Sequence, residues 1–183
     1  MSTIILVDDE TGVLNALRRL LMRTPCTYVG QVFPLEIETF SDPTDALEYV
    51  RHHTADLIIS DYRMPQMDGV AFLKACREIQ PDSARIILSG YADLNALIGG
   101  INEAQIYRFL SKPWNDYELV SAVATALAYR NLQLENQRLA DQVRLQQGVL
   151  TAEDVERKRL EELEPGITQV KWGPDGSVLL DED

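Results

Sequence analysis

Leu57-Ile58-Ile59-Ser60-Asp61-Tyr62-Arg63-Met64-Pro65-Gln66-Met67-Asp68-Gly69 is an apolar run that ends in a carboxylate and then enters a loop. An apolar run of this length, without polar alternation, fits a strand buried on both faces of a parallel sheet. Two other stretches share the design. Ile4-Ile5-Leu6-Val7 runs into Asp8-Asp9-Glu10, and Arg108-Phe109-Leu110-Ser111 runs into Lys112-Pro113-Trp114. Parallel strands would bring Asp8, Asp9, Asp61 and Lys112 together at their carboxyl ends, where open α/β sheets hold their ligands. Three converging carboxylates repel one another unless a cation joins them. A hard cation with oxygen ligands, Mg²⁺ above all, meets that need.

Outward from these runs, strand and helix patterns alternate. Strands are expected at 3–8, 36–40, 56–60, 85–89 and 106–110. Helices are expected at 11–23, 43–52, 69–78 and 93–103, with another starting near Asn115. Asp42-Pro43 and Asp68-Gly69 supply helix-start signals. The alternation predicts an α/β fold, a five-stranded doubly wound parallel sheet with right-handed crossovers. Residues 24–35 hold Pro25, Gly30 and Pro34 and read as a surface loop. His52 and His53 close the second helix, where they suit its negative end.

After Trp114 the pattern changes. Leu119, Val123 and Leu127 form one apolar helical stripe that faces the sheet. From Tyr129 a heptad register fits, with Tyr129, Asn136, Val143 and Leu150 at one seam position and Leu132, Leu139 and Gln146 at the other. That is about three heptads, enough to predict a parallel coiled-coil homodimer in which the polar Asn136 sets the register. The bland alternative is a solvated single helix whose leucines fold onto the domain. Thr151-Ala152-Glu153-Asp154 opens a short charged helix to about Leu163, and Glu164-Pro165-Gly166 stops it. Ile167–Trp172 and Ser177–Leu180 flank Gly173-Pro174-Asp175-Gly176, the signature of a β-hairpin.

Bulk properties narrow the function classes. The chain has 183 residues, 45% of them hydrophobic, which allows one ordinary domain with a real core plus something smaller. With 29 acidic and 17 basic residues the net charge is −12, which disfavours direct binding to nucleic acid or to a membrane surface. Cys26 and Cys76 form no metal or disulfide pattern. The start of the chain lacks the pattern of a signal peptide, and no apolar run approaches bilayer length. The expected setting is the cytoplasm.

The three motifs, in this order and spacing, resemble the phosphoacceptor receiver domain of bacterial two-component response regulators. The resemblance runs from about Ser2 into the 120s and implies a flavodoxin-like fold. It makes Asp61 the phosphoacceptor, charged by a sensor histidine kinase. Asp8, Asp9, Asp61 and the backbone carbonyl of Arg63 become the Mg²⁺ ligands. Ser89 matches the switch hydroxyl, Phe109 the switch aromatic and Lys112 the phosphate-binding lysine, with a cis Lys112-Pro113 bond. Arg63 and Tyr91 lie where they would flank the phosphoryl group, although simple solvent exposure explains them equally well. The phrase Ile101–Trp114 resembles receivers often joined to cyclic-dinucleotide phosphodiesterase or transcription-activator modules. The expected organisation is a receiver at 1–128, a coiled-coil dimerisation helix at 129–150 and a helix-plus-hairpin tail at 151–183. Output would pass to a downstream protein effector.

Two other classes compete. A phosphatase with an aspartyl-phosphate nucleophile wants an acid–base aspartate two residues after the nucleophile, where Arg63 stands. A flavodoxin-like cofactor binder wants a Gly- or Ser/Thr-rich phosphate loop after the first strand, where Asp8-Asp9-Glu10 would repel a phosphate.

Overall fold

The structure is a computed structural model, which describes residues 1–90, 104–148, 151–163, 171–172 and 178–179. The expected helix at 93–103, Tyr91 and Leu150 lie outside the described residues.

Five parallel strands form the sheet: β1 (Ser2–Val7), β4 (Leu35–Phe40), β5 (Leu57–Asp61), β6 (Ala84–Gly90) and β7 (Arg108–Lys112). Their order is β4-β1-β5-β6-β7. This is the flavodoxin-like order, and it reverses direction at β1, so the crevice between β1 and β5 is the topological switch point. Alternate residues of each strand serve opposite faces. Ile4, Leu6, Leu57, Ile59, Ile86 and Leu88 join one buried cluster. Ile5, Val7, Ile58 and Ile87 join the other. Both faces are dry, which is why the strands read as unbroken apolar runs.

Helices α1 (Thr11–Arg23) and α4 (Asp116–Gln146) pack on the first face, through Leu14, Leu17 and Leu21 and through Leu119, Val123 and Leu127. Helices α2 (Pro43–His52) and α3 (Gly69–Ile79) cover the second, through Ala46, Leu47, Val50, Phe72, Leu73 and Cys76. The caps are the residues that signalled helix starts. Asp42 Oδ1 accepts from Thr44 N at 2.7 Å, and Asp68 Oδ1 accepts from Ala71 N at 2.8 Å. Asn115 Oδ1 accepts from Glu118 N at 3.1 Å.

The segment 24–35 corrects the sequence reading. It is not an irregular loop but a β-hairpin, β2 (Cys26–Tyr28) against β3 (Gln31–Phe33), antiparallel. Pro25 and Pro34 flank it. Val29 and Gly30 make the two-residue turn, with φ of 47° and 79°, as a type I′ turn requires. Cys26 and Phe33 are buried in the cluster that α1 and α4 share. A second correction is smaller. The last strand lies two residues later than expected, at Arg108–Lys112, so Lys112 is itself a strand residue paired with Gly90.

Helix α4 runs unbroken across residue 128 and projects past the sheet. Arg130 anchors it at the base of the domain, pairing with Asp56 at 2.6 Å and donating from Nε to the Asp82 carbonyl at 3.1 Å. Beyond that point Leu132, Asn136, Leu139, Val143 and Gln146 are exposed. Gly148 turns the chain with φ of 71°. Thr151 then caps α5 (Ala152–Leu163) in a reciprocal box with Asp154. Lys158 on α5 pairs with Asp141 on α4 at 2.7 Å. In the tail, β8 (Lys171–Trp172) pairs antiparallel with β9 (Val178–Leu179). Val170 and Leu180 lie outside the described residues.

Candidate functional site

The sheet delivers three charged side chains to one point. Asp8 follows the last residue of β1, Asp61 ends β5 and Lys112 ends β7. Lys112 Nζ lies 2.7 Å from Asp8 Oδ2 and 2.6 Å from Asp61 Oδ1. Each carboxylate spends its other oxygen on the backbone. Asp8 Oδ1 accepts from Glu10 N at 2.9 Å, and Asp61 Oδ2 accepts from Arg63 N at 2.8 Å. Both carboxylates are nearly closed to solvent, at 1% and 6% exposure.

Burial raises the Asp8 carboxyl above its ordinary range, and the bonds from Lys112 and Glu10 only partly offset it. Burial alone would depress the Lys112 ammonium. Its contacts with Asp61 and Asp8 outweigh that and raise it. The site is therefore an ammonium clamped between two buried carboxylates. Its donor atoms toward a metal are all oxygen, the chemistry a hard divalent cation takes.

Asp9 directly follows Asp8 in the chain. It is exposed at the rim, and among the described residues no three His, Cys, Asp or Glu side chains gather closely enough to hold a metal. Asp8 and Asp61 are instead joined through Lys112.

Ser89 is buried at the end of β6, and its hydroxyl donates to the Gly90 carbonyl at 3.3 Å. It stands opposite Ser111 on β7, one residue before Lys112, and Phe109 stands opposite Ile87. Phe109 is partly buried against the cluster of α2 and α3. Ser89, Phe109 and Lys112 thus occupy two paired strands. The Lys112-Pro113 bond is cis.

Two features escaped the sequence reading. Gly69 opens α3 directly over the Asp61 backbone, and its N–H donates to the Tyr62 carbonyl at 2.8 Å. A Cβ there would collide with the Asp61 carbonyl oxygen. Only glycine permits this approach, which holds the loop after Asp61 close to the strand. The second feature is a buried polar hub at the opposite end of the sheet. Arg85 donates from Nε to the Ala104 carbonyl at 2.9 Å and from Nη1 to the Ser83 carbonyl at 2.6 Å. Gln80 Nε2 donates to the Val50 and His53 carbonyls. Nothing in local sequence distinguishes such residues from solvated ones.

A parallel sheet in this order, with two buried carboxylates and a lysine at the switch point, defines the receiver class. The chain belongs to the response regulator receiver family, whose domain matches residues 4–124. It is 36% identical over 146 residues to the hydrogenase transcriptional regulatory protein HoxA of Bradyrhizobium diazoefficiens, covering 80% of this chain and 28% of that one. It is 30% identical over 135 residues to the DNA-binding transcriptional regulator NtrC of Escherichia coli, covering 70% of this chain and 27% of that one. The chain thus spans less than a third of these curated relatives. Among solved structures, the signal receiver domain of an HD domain-containing protein from Pseudomonas fluorescens superposes with a TM-score of 0.63 at 36% identity, covering 71% of this chain and 97% of that one. The described helices include none long and apolar enough to cross a membrane.

Proposed function

We propose that the chain is a phosphorylation-controlled switch whose acceptor is Asp61. The observation that carries this is the Lys112 bridge between Asp8 and Asp61 at the switch point of the sheet. The Asp61 carboxylate attacks phosphorus, a P–O bond forms, and the P–N bond of a sensor kinase's phosphohistidine breaks. A small acyl phosphate could serve as donor by breaking its own P–O bond. Transfer of this kind is mainly positioning and charge neutralisation. Lys112 supplies one positive charge. Asp8, Asp61 and the Arg63 carbonyl would hold Mg²⁺ once Asp9 turns in from the rim to complete the set, and the bound ion would supply further charge to the phosphoryl oxygens.

Once Asp61 carries a phosphoryl group, Lys112 loses a carboxylate partner and gains phosphoryl oxygens. The Ser89 hydroxyl turns toward those oxygens, and Phe109 packs into the space it leaves. A local change of charge thereby alters the face that β7 presents. Output passes by protein contacts, through a parallel homodimer zipped along Tyr129, Leu132, Asn136, Leu139, Val143 and Leu150 and through the tail at 151–183. Self-catalysed phosphoryl transfer and hydrolysis are its only chemistry. The net charge of −12 favours protein partners over direct contact of this chain with nucleic acid.

The phosphatase reading gains nothing from the geometry, since Arg63 rather than a carboxylic acid follows Asp61 at the second position. Labelling of Asp61 by an acyl phosphate, followed by intact mass, tests the proposal.

A further inference from the structure

The base of the sheet and the projecting part of helix α4 enclose a cleft of about 870 Å³. That is the size of a small-molecule site. It lies at the amino ends of β5 and β6, away from Asp61 at the carboxyl end of β5. One wall is the segment 79–83 at the end of α3, together with Thr54 and Ala55. The other is α4 from Arg130 to Arg144, and Lys158 of α5 also reaches the cleft.

A single stripe of α4 forms most of the helical wall. Arg130, Leu134, Gln137, Asp141 and Arg144 follow one another at steps of three and four residues, the spacing of one helix face. The exposed apolar positions Leu132, Leu139 and Val143 are not part of this lining. The long helix therefore carries a second, polar face that the heptad pattern does not describe.

The charges in the cleft run against the rest of the chain. The whole sequence has 29 acidic and 17 basic residues. Here the cations Arg130, Arg138, Arg144 and Lys158 meet only two carboxylates, Asp82 and Asp141. Arg130 is committed to Asp56 and to the Asp82 carbonyl. Arg144 and Lys158 share the one carboxylate of Asp141, at 3.1 and 2.7 Å. Arg138 makes no hydrogen bond or ion pair with the described residues. Positive charge is thus left over on this wall, where it attracts an anion. Guanidinium groups suit phosphate oxygens in particular, which they hold through paired N–H donors. Ile79, Pro81, Leu134 and Ala140 add apolar surface to the same cleft. A bare phosphate ion would leave that surface uncovered, whereas a molecule with a flat apolar body and a phosphate at one end would use both.

We propose that this cleft binds an organic phosphate of nucleotide size, with its phosphate on Arg138, Arg144 and Lys158 and its ring against Ile79, Pro81 and Leu134. The site is separate from the phosphoacceptor, and the proposal does not depend on Asp61. Bound there, the ligand joins the base of the sheet to the helices beyond it.

Isothermal titration calorimetry on the full chain tests this, with adenosine monophosphate and inorganic phosphate as probes and EDTA present to keep metal from the carboxylate site. The nucleotide should bind once per chain, about tenfold more tightly than phosphate, because phosphate gains nothing from the apolar wall. Arg138→Glu should weaken nucleotide binding about tenfold, and Lys158→Gln should weaken it as well. Both positions are exposed, so the fold should tolerate them. Arg19→Glu makes the same charge reversal at an exposed position of α1 and should leave binding unchanged. Amide exchange at 134–144 should slow when nucleotide is bound. Absence of nucleotide binding at about 1 mM would overturn the proposal. So would equal losses in Arg138→Glu and Arg19→Glu, which would trace binding to overall charge. Equal affinity for nucleotide and phosphate would overturn it too, because the apolar wall would then play no part.

Discussion

Lys112 Nζ sits 2.6 Å from Asp61 Oδ1, and its other short contact is to Asp8. The lysine therefore has two tasks. In the resting protein it bridges two buried carboxylates and offsets part of their charge. On the function proposed above, it is also the cation already in place for a phosphoryl group on Asp61.

Replacing Lys112 by Ala should destabilise the metal-free protein by about 2–4 kcal/mol, because two buried carboxylates lose the ammonium that bridges them. Mg²⁺ should then stabilise the variant more than it stabilises wild type, since a cation replaces a cation. Urea denaturation with and without Mg²⁺ measures both effects. An equal Mg²⁺ increment in the two proteins would show that the cation does not share the lysine's site.

Gly69→Ala should cost about 2–3 kcal/mol, in the range of overpacked sites, because the added Cβ meets the Asp61 carbonyl oxygen. Phosphorylation should slow as well, since the acceptor strand and its loop must separate. Chemical denaturation and a labelling time course would test the pair of effects.

Ser89→Ala should still accept a phosphoryl group on Asp61. It should lose most of the NMR shift changes along β7, since the hydroxyl that draws Phe109 inward is gone. Undiminished changes around Phe109 would mean that the switch runs through other residues.

Arg130→Ala removes the pair with Asp56, whose partners are 17% and 24% exposed. The cost should be about 1–2 kcal/mol after allowing for partial solvent screening. Faster amide exchange should appear in α4 beyond the sheet. If exchange in α4 is unaltered, the anchor lies elsewhere.

The sheet was legible because its strands are buried on both faces, which makes runs such as Ile4–Val7 and Leu57–Ile59 unmistakable. The site was legible for the same reason: each run ends in its charged residue. The hairpin was not. Cys26–Tyr28 and Gln31–Phe33 are too short to show alternation, and Val29-Gly30 is a poor match to a type I′ turn. Pro25, Gly30 and Pro34 read as loop breakers, whereas two of them flank strands and the third completes the turn. The ends of β7 slipped by two residues because Ile106 and Tyr107 are as apolar as the strand they precede. Gly69 and Arg85 were invisible because their importance lies in contacts that only the tertiary fold creates.

Labelling of Asp61 tests the central claim most directly. The full chain, incubated with a small acyl phosphate and Mg²⁺, should gain the mass of one phosphoryl group. The gain should vanish in Asp61→Asn and without divalent metal. Equal labelling of Asp61→Asn would contradict the account, because the acceptor would then be another residue.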